Sequence, residues 1–188
     1  MSSIVYNPNT SSANKQLFTS SGSFTVPTGV TTIYVSGCGG GGSGSATVAT
    51  SACGGGGAAC VLFQSYTVIP GTTYTVTIGA GGAGANTQFG NSGGTTSLGA
   101  LVSLPGGGGG NSQTGTPGAS GGFGGTRGSY AISTAIFGAG GSTLFGIGGP
   151  SSTTGNPTSI TGSGYGSGSG GTSSNSAAGA NGFLLIEW

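Results

Sequence analysis

The chain contains no aspartate and no histidine, and of its 188 residues only Lys15, Arg127 and Glu187 carry a formal charge. General acid–base catalysis needs a group that titrates near neutral pH. With neither Asp nor His, and with a single Glu beside the C-terminal Trp188, the chain is not expected to be an enzyme. Serine and threonine hydroxyls abound, but nothing is placed to take their protons in a triad. The carboxylate pair of a glycosidase is missing as well. A zinc site wants four closely spaced Cys or His ligands, and Cys38, Cys53 and Cys60 form no CxxC pair and have no histidine to join them. Carbonyl-lined calcium sites without Asp would be weak, so no metal or cofactor is expected. One Arg and one Lys make no phosphate-neutralising patch, which argues against nucleic-acid binding. Three cysteines among small residues read as buried free thiols, with a Cys38–Cys60 or Cys53–Cys60 bridge as the alternative.

Long apolar runs are lacking too. No stretch approaches a membrane-spanning length, and the opening MSSIVYNPNT has no basic region followed by an apolar core, so no secretory signal is expected. What is present in excess is glycine, 48 residues of it. Such a composition ordinarily suggests disorder. However, disordered chains stay open through charge and poverty of apolar groups, whereas this one is 33% hydrophobic with a net charge of +1. In ordinary helix or strand each glycine costs roughly 0.5–1 kcal/mol relative to Ala. Forty-eight so placed would cost about 25–50 kcal/mol, against a typical net stability of ~5–15 kcal/mol. The glycines must occupy places where only glycine fits: positive-φ turns and closely apposed backbones.

Between the glycine runs lie islands of strand-forming sequence. GSFTVPTGVTTIYVSG (22–37) holds two β-rich runs with Pro27-Thr28-Gly29 as a turn between them. In 73–78, Tyr74, Val76 and Ile78 alternate with threonines, a period of two that places aromatic and branched residues on one face. Pro70-Gly71 connects this strand to a preceding one, Tyr66 to Ile69. A further strand is expected from Thr96 to Leu104, and GFLLIEW (182–188) closes the chain as a paired strand. Tyr34, Tyr66, Tyr74, Val76, Ile78, Leu184, Ile186 and Trp188 are assigned to the core. No helical periodicity of useful length occurs. The fold class is therefore all-β: sandwich-like strands combined with glycine-rich loops and packed polyglycine II spirals, with essentially no α-helix. Residues 1–16 read as an N-terminal arm for attachment. Residues 17–188 read as one glycine-rich domain, strand-rich over 17–104 and glycine-rich over 105–181, with a closing strand at 182–188.

Glycine recurs every third residue at 115, 118, 121 and 124. That period matches the three-fold polyproline II spiral, which rises about 3.1 Å per residue and makes no internal hydrogen bonds. An all-glycine face lets neighbouring spirals approach and exchange N–H···O=C bonds. The competing arrangement is a set of irregular glycine loops lying over a β-core.

The ordered set SGSFTVPTGVTTIYVSGCGGGGSG (21–44), YTVIPGTTYTVTIGAGGAG (66–84), GGTTSLGALVSLPGGGGG (93–110) and GANGFLLIEW (179–188) resembles the glycine-rich domain at the ends of bacteriophage tail fibres. The resemblance covers roughly residues 17–188. It implies a virion protein, and a tail-fibre-type adhesin whose distal loops touch a host surface glycan or protein. Other virion proteins would be met through the N-terminal arm, and a homo-oligomer, a trimer by analogy with fibres, is implied. In the fibres the module ends a long polypeptide, whereas about 16 residues precede it here, so a capsid or tail decoration anchored by that arm is the alternative. An ice-binding protein is a remoter one, since the triplet run is short and threonines fall mainly in strands.

Phe123, Arg127, Tyr130 and Tyr165 are the candidate receptor contacts, being aromatic or charged residues set within glycine-rich segments. Arg127 sits where the three-residue register breaks. Its fork of donors suits an acidic sugar, a phosphate or a carboxylate; otherwise it is a solvated loop charge. Tyr130 and Tyr165 are the best candidates for stacking on a sugar ring. The phenylalanines, among them Phe137 and Phe145, are expected to cap the glycine layer or lie beneath it.

Overall fold

A computed structural model describes residues 14–46, 52–114, 116–129, 136–152 and 161–188. The described residues are all-β and contain no helix. Strands β1 (Lys15–Phe18), β2 (Gly22–Thr25), β3 (Thr32–Cys38), β4 (Cys60–Thr67), β5 (Thr73–Thr77), β6 (Thr96–Leu98), β7 (Val102–Leu104) and β10 (Phe183–Glu187) build two antiparallel sheets. One has the order β1-β10-β3-β4 and the other β2-β5-β6-β7. A short ribbon, β8 (Gly146–Ile147) with β9 (Ser163–Gly164), lies in the glycine-rich part.

The sandwich follows from the alternation in the sequence. Ile33 and Val35 of β3 and Leu184 and Ile186 of β10 are buried against Phe24, Val76, Leu98 and Leu104 of the facing sheet. Each such aliphatic side chain contributes about 1.5–3 kcal/mol by leaving water. Three short connections, β1 to β2, β2 to β3 and β4 to β5, carry the chain from one sheet to the other. The Thr72 N–H donates to the Ile69 carbonyl, 3.1 Å, around Pro70-Gly71, and Gly71 takes φ 79° as a type II turn demands.

Three expectations need correction. Thr96 to Leu104 is not one strand but the hairpin β6–β7, because Gly99 adopts φ 48° and Leu101 N–H closes a turn on Leu98. The strand placed at Tyr66 to Ile69 begins much earlier, at Cys60, and ends at Thr67. Tyr34 is not in the core: it points away from the facing sheet, since its neighbours Ile33 and Val35 take the inner face. At the other end of the chain, Lys15 and Gln16 belong to β1 and pair with Glu187 and Ile186.

A register shift between Val35 and Gly37 sets Ser36 of β3 opposite both Leu62 and Phe63 of β4. This β-bulge puts Phe63 at φ 51°, and among the described residues no other non-glycine has a positive φ. The left-handed region costs a residue with a Cβ about 1–2 kcal/mol. Phe63 stacks on Tyr34 with ring centroids 4.4 Å apart and planes 9° from parallel. Such a pair is worth about 0.5–1.5 kcal/mol, so the contact at best balances the strain.

The glycine layer is an array of spirals. In the segment returning toward β4, Gly54 and Gly57 donate to Ser129 and Thr126, Gly55 and Ala58 to Ser169 and Gly166, and Gly56 and Ala59 to Gly108 and Pro105, all at 2.8–3.1 Å. Successive residues thus address three different neighbours and the cycle repeats every third residue, which is how polyglycine II satisfies donors that it cannot pair internally. The carbonyls of the same segment accept from three more segments: Gly42 onto Gly56, Gly118 onto Gly54 and Gly141 onto Gly55. Glycine is required for this by space rather than by turning. A Cβ at Gly56 would overlap the Ala119 carbonyl. The packed object is therefore the arrangement found, although the regular part of the 115–124 run ends early. Gly118 and Gly121 donate to Gly54 and Gly57, then Gly122 (φ 144°) and Gly124 (φ 78°) turn the chain; Gly115 lies outside the described residues.

Candidate functional site

The strands β3 and β4 run on into the glycine layer, outward over 39–46 and back over 52–59. At about 3.1 Å per residue, Ala46 stands about 25 Å beyond the end of β3. There the chain segment Asn86-Thr87-Gln88-Phe89, which interrupts the glycine run between Gly84 and Gly90, meets Ser173 and Ser174 across a cleft of about 540 Å³ with Ala46 as part of its wall.

This end is held firmly. The Ala46 N–H donates to the Thr87 carbonyl at 2.8 Å, and the Thr87 hydroxyl donates to the Phe89 carbonyl at 3.0 Å. Ser112 gives both its N–H and its hydroxyl to the Gln88 carbonyl, at 2.8 and 3.1 Å. On the far side, Ala85 and Ser176 exchange three bonds, two of them through the Ser176 hydroxyl. Phe89 is left 51% exposed. The lining side chains are neutral amides, hydroxyls and one ring. The cleft thus offers a ligand hydrogen-bond donors, acceptors and one ring face.

Of the residues singled out from sequence, those that are described do not line this cleft. Phe123 is 82% exposed, on the turn that follows Gly121, because its carbonyl is drawn inward to accept the Cys60 N–H at 2.7 Å. It neither caps nor underlies the glycine layer, which corrects that expectation. Arg127 is exposed on the flank of the layer, between Thr126 and Gly128, whose backbones bond into the array. Tyr165 is half-buried where the layer meets the sandwich, its ring 4.5 Å from that of Phe183, with Phe145 edge-on to the same ring at 4.8 Å. Phe137 is buried. Tyr130 lies outside the described residues. None of Phe123, Arg127 and Tyr165 lines the cleft. Its signal in the sequence was the one polar and aromatic tetrapeptide enclosed by the glycines of 79–84 and 90–94.

Two titratable groups, Cys38 and Cys60, are paired across β3 and β4 at the junction of layer and sandwich. Like Cys53 they are buried, and none of the three forms a disulfide. The Cys38–Cys60 hydrogen bond pulls Cys60 down to about 7 against the effect of burial, and it holds Cys38, further raised by desolvation, far above the ordinary thiol range.

Residues 19–183 match the family of glycine-rich domains, and the chain belongs to that family. Comparison with curated proteins finds no match.

Proposed function

We propose that this glycine-rich domain is a non-enzymatic module of a bacteriophage particle, an adhesin of the tail-fibre type that binds a host surface glycan or protein through the end of its glycine layer. The observation that carries the reading is the cleft at Asn86–Phe89, Ser173 and Ser174, neutral, hydrogen-bonding and fixed at the far end of a rigid array. A spiral bundle whose segments are tied to one another by so many backbone bonds gains nothing from flexibility, and a preorganised end binds without first being ordered. The sequence resemblance to tail-fibre domains supports the same reading. On it, the protein is carried on the virion, contacts other virion proteins through its N-terminal residues, and requires no cofactor.

Fluorescently labelled protein incubated with a panel of bacterial cells tests this directly. Retention on susceptible cells, reduced by Phe89→Ala with the melting temperature unchanged, is the expected result. Absence of retention, together with normal adsorption of particles lacking the protein, would instead make it a decoration of the capsid or tail.

A further inference from the structure

We propose that the outer face of the β1-β10-β3-β4 sheet is a second binding site, a platform for the apolar face of a neutral pyranose ring, centred on Tyr34 and Phe63. The two rings lie parallel and remain 37% and 58% exposed. Sugar rings carry a face of C–H groups that lies flat on such aromatic surfaces, while their hydroxyls need donors and acceptors at the rim.

The strained backbone makes the case. Phe63 occupies a bulge position with φ 51°, where glycine is the residue without penalty. This chain uses 48 glycines elsewhere, yet here it holds an aromatic ring out into solvent. The Phe63 N–H is bonded to the Ser36 hydroxyl at 2.9 Å, which fixes the bulge and so the ring. Strain retained for a side chain that the core does not need points to a contact outside the molecule.

Residues paired across an antiparallel sheet share a face. The pairings Tyr34 with Ser65, Tyr34 with Glu187 and Glu187 with Lys15 therefore line up one hydroxyl, one ring, one carboxylate and one ammonium across the four strands. Two of the chain's three charges stand in this row and cancel. A carboxylate accepts from sugar hydroxyls, and the balanced charge favours a neutral saccharide over an acidic one. A second copy adding to the β4 edge is a poorer occupant, because the bulge breaks the ladder that it would extend. The inference rests on the reading of the protein as a binder of surface saccharide, and places a site for it on the sandwich as well as at the cleft.

Methyl glycosides of glucose, galactose and N-acetylglucosamine, titrated against the full chain by NMR, test the assignment. Saturation transfer to ring protons is expected, with affinity falling about three- to tenfold in both Phe63→Gly and Tyr34→Ala. Phe63→Gly removes the strain, so its melting temperature should stay level or rise, and a loss of binding in it cannot be ascribed to unfolding. Unchanged binding in both variants would overturn the platform. So would failure of the wild type to bind any of the three glycosides while it still adheres to cells, an outcome that leaves the adhesin reading standing. Glycoside binding without cell adhesion would do the reverse. Self-association lost in Phe63→Gly, with no glycoside bound, would give the face to a second copy and overturn the proposal.

Discussion

Phe24 of β2 and Trp188, the residue after β10, meet across the sandwich with ring centroids 5.4 Å apart and planes at 50°. The contact joins one sheet to the other at the edge where the chain ends, and the Trp188 N–H is held by the Asn14 carbonyl at 2.9 Å. Trp188→Ala removes a large apolar surface from a half-buried position. It is expected to cost about 2–4 kcal/mol, somewhat below the value for a fully buried ring. Because this is the chain's single Trp, the wild-type fluorescence reports the same contact, and urea unfolding followed by circular dichroism measures the loss. An unchanged midpoint would show that the sheets are held together without it.

Two glycine substitutions separate the two reasons for using glycine. Gly29 has φ 82° with open space where a Cβ would go, so Gly29→Ala should cost only the left-handed penalty, about 1–2 kcal/mol. Gly56 has no positive φ, but a Cβ there would overlap the Ala119 carbonyl inside an array that cannot part locally. Gly56→Ala should cost about 3 kcal/mol or more. Thermal unfolding of the two variants gives the order. If Gly29→Ala proves the more damaging, close backbone approach is not what the glycine layer depends on.

Amide exchange tests the layer without mutation. The N–H groups of residues 54–59 are buried and bonded to three neighbouring segments, so they can exchange only when the array opens as a unit. The Gln113 N–H, bonded to the Asn111 side chain on an exposed turn, needs no such event. Protection over 54–59 should approach that of the sandwich core, with Gln113 exchanging fast. Uniformly fast exchange in both regions would mean that the spirals do not form a cooperative body.

The sandwich was largely legible because its strands announce themselves by a period of two. Val76, Leu184 and Ile186 are buried where alternation puts them. The hairpin at 96–104 is not legible in the sequence because Gly99 falls inside an otherwise apolar run, and only its left-handed φ reveals the turn. The spiral array was read from a triplet period at 115–124, yet its most regular members, 39–45 and 53–59, show no such period. Where nearly every residue is small, the three-fold cycle lies in which segment adjoins each residue, not in residue type. The cleft and the Tyr34–Phe63 pair are hard to read in the sequence for opposite reasons. The first is a short polar interruption of a long glycine stretch, and the second hides in ACVLF, a run that reads as buried strand until the bulge turns Phe63 outward.

The cysteine pair makes the stability of the fold depend on pH. The Gly39 N–H bonds to the Ala59 carbonyl beside the pair while the Cys60 N–H leaves the sheet for Phe123, so Cys38 and Cys60 form a narrow, non-hydrogen-bonded cross-strand pair. One thiol hydrogen-bonds the other, favouring a single thiolate on Cys60 and opposing a second charge on Cys38. Cys60 is lowered from 9.0 to about 7 on folding, so its contribution is complete above the unfolded value and is lost as pH falls through about 7. Cys38 is raised, so its contribution is complete below 9.0 and is lost as pH rises beyond it. The melting temperature should therefore climb between pH 7 and 9 and decline at higher pH. Cys60→Ser should flatten the rising limb and weaken the declining one, and Cys38→Ala should flatten both. Thiolate absorbance followed through the same titration identifies the ionising group, and a profile identical in wild type and both variants would refute the shared proton.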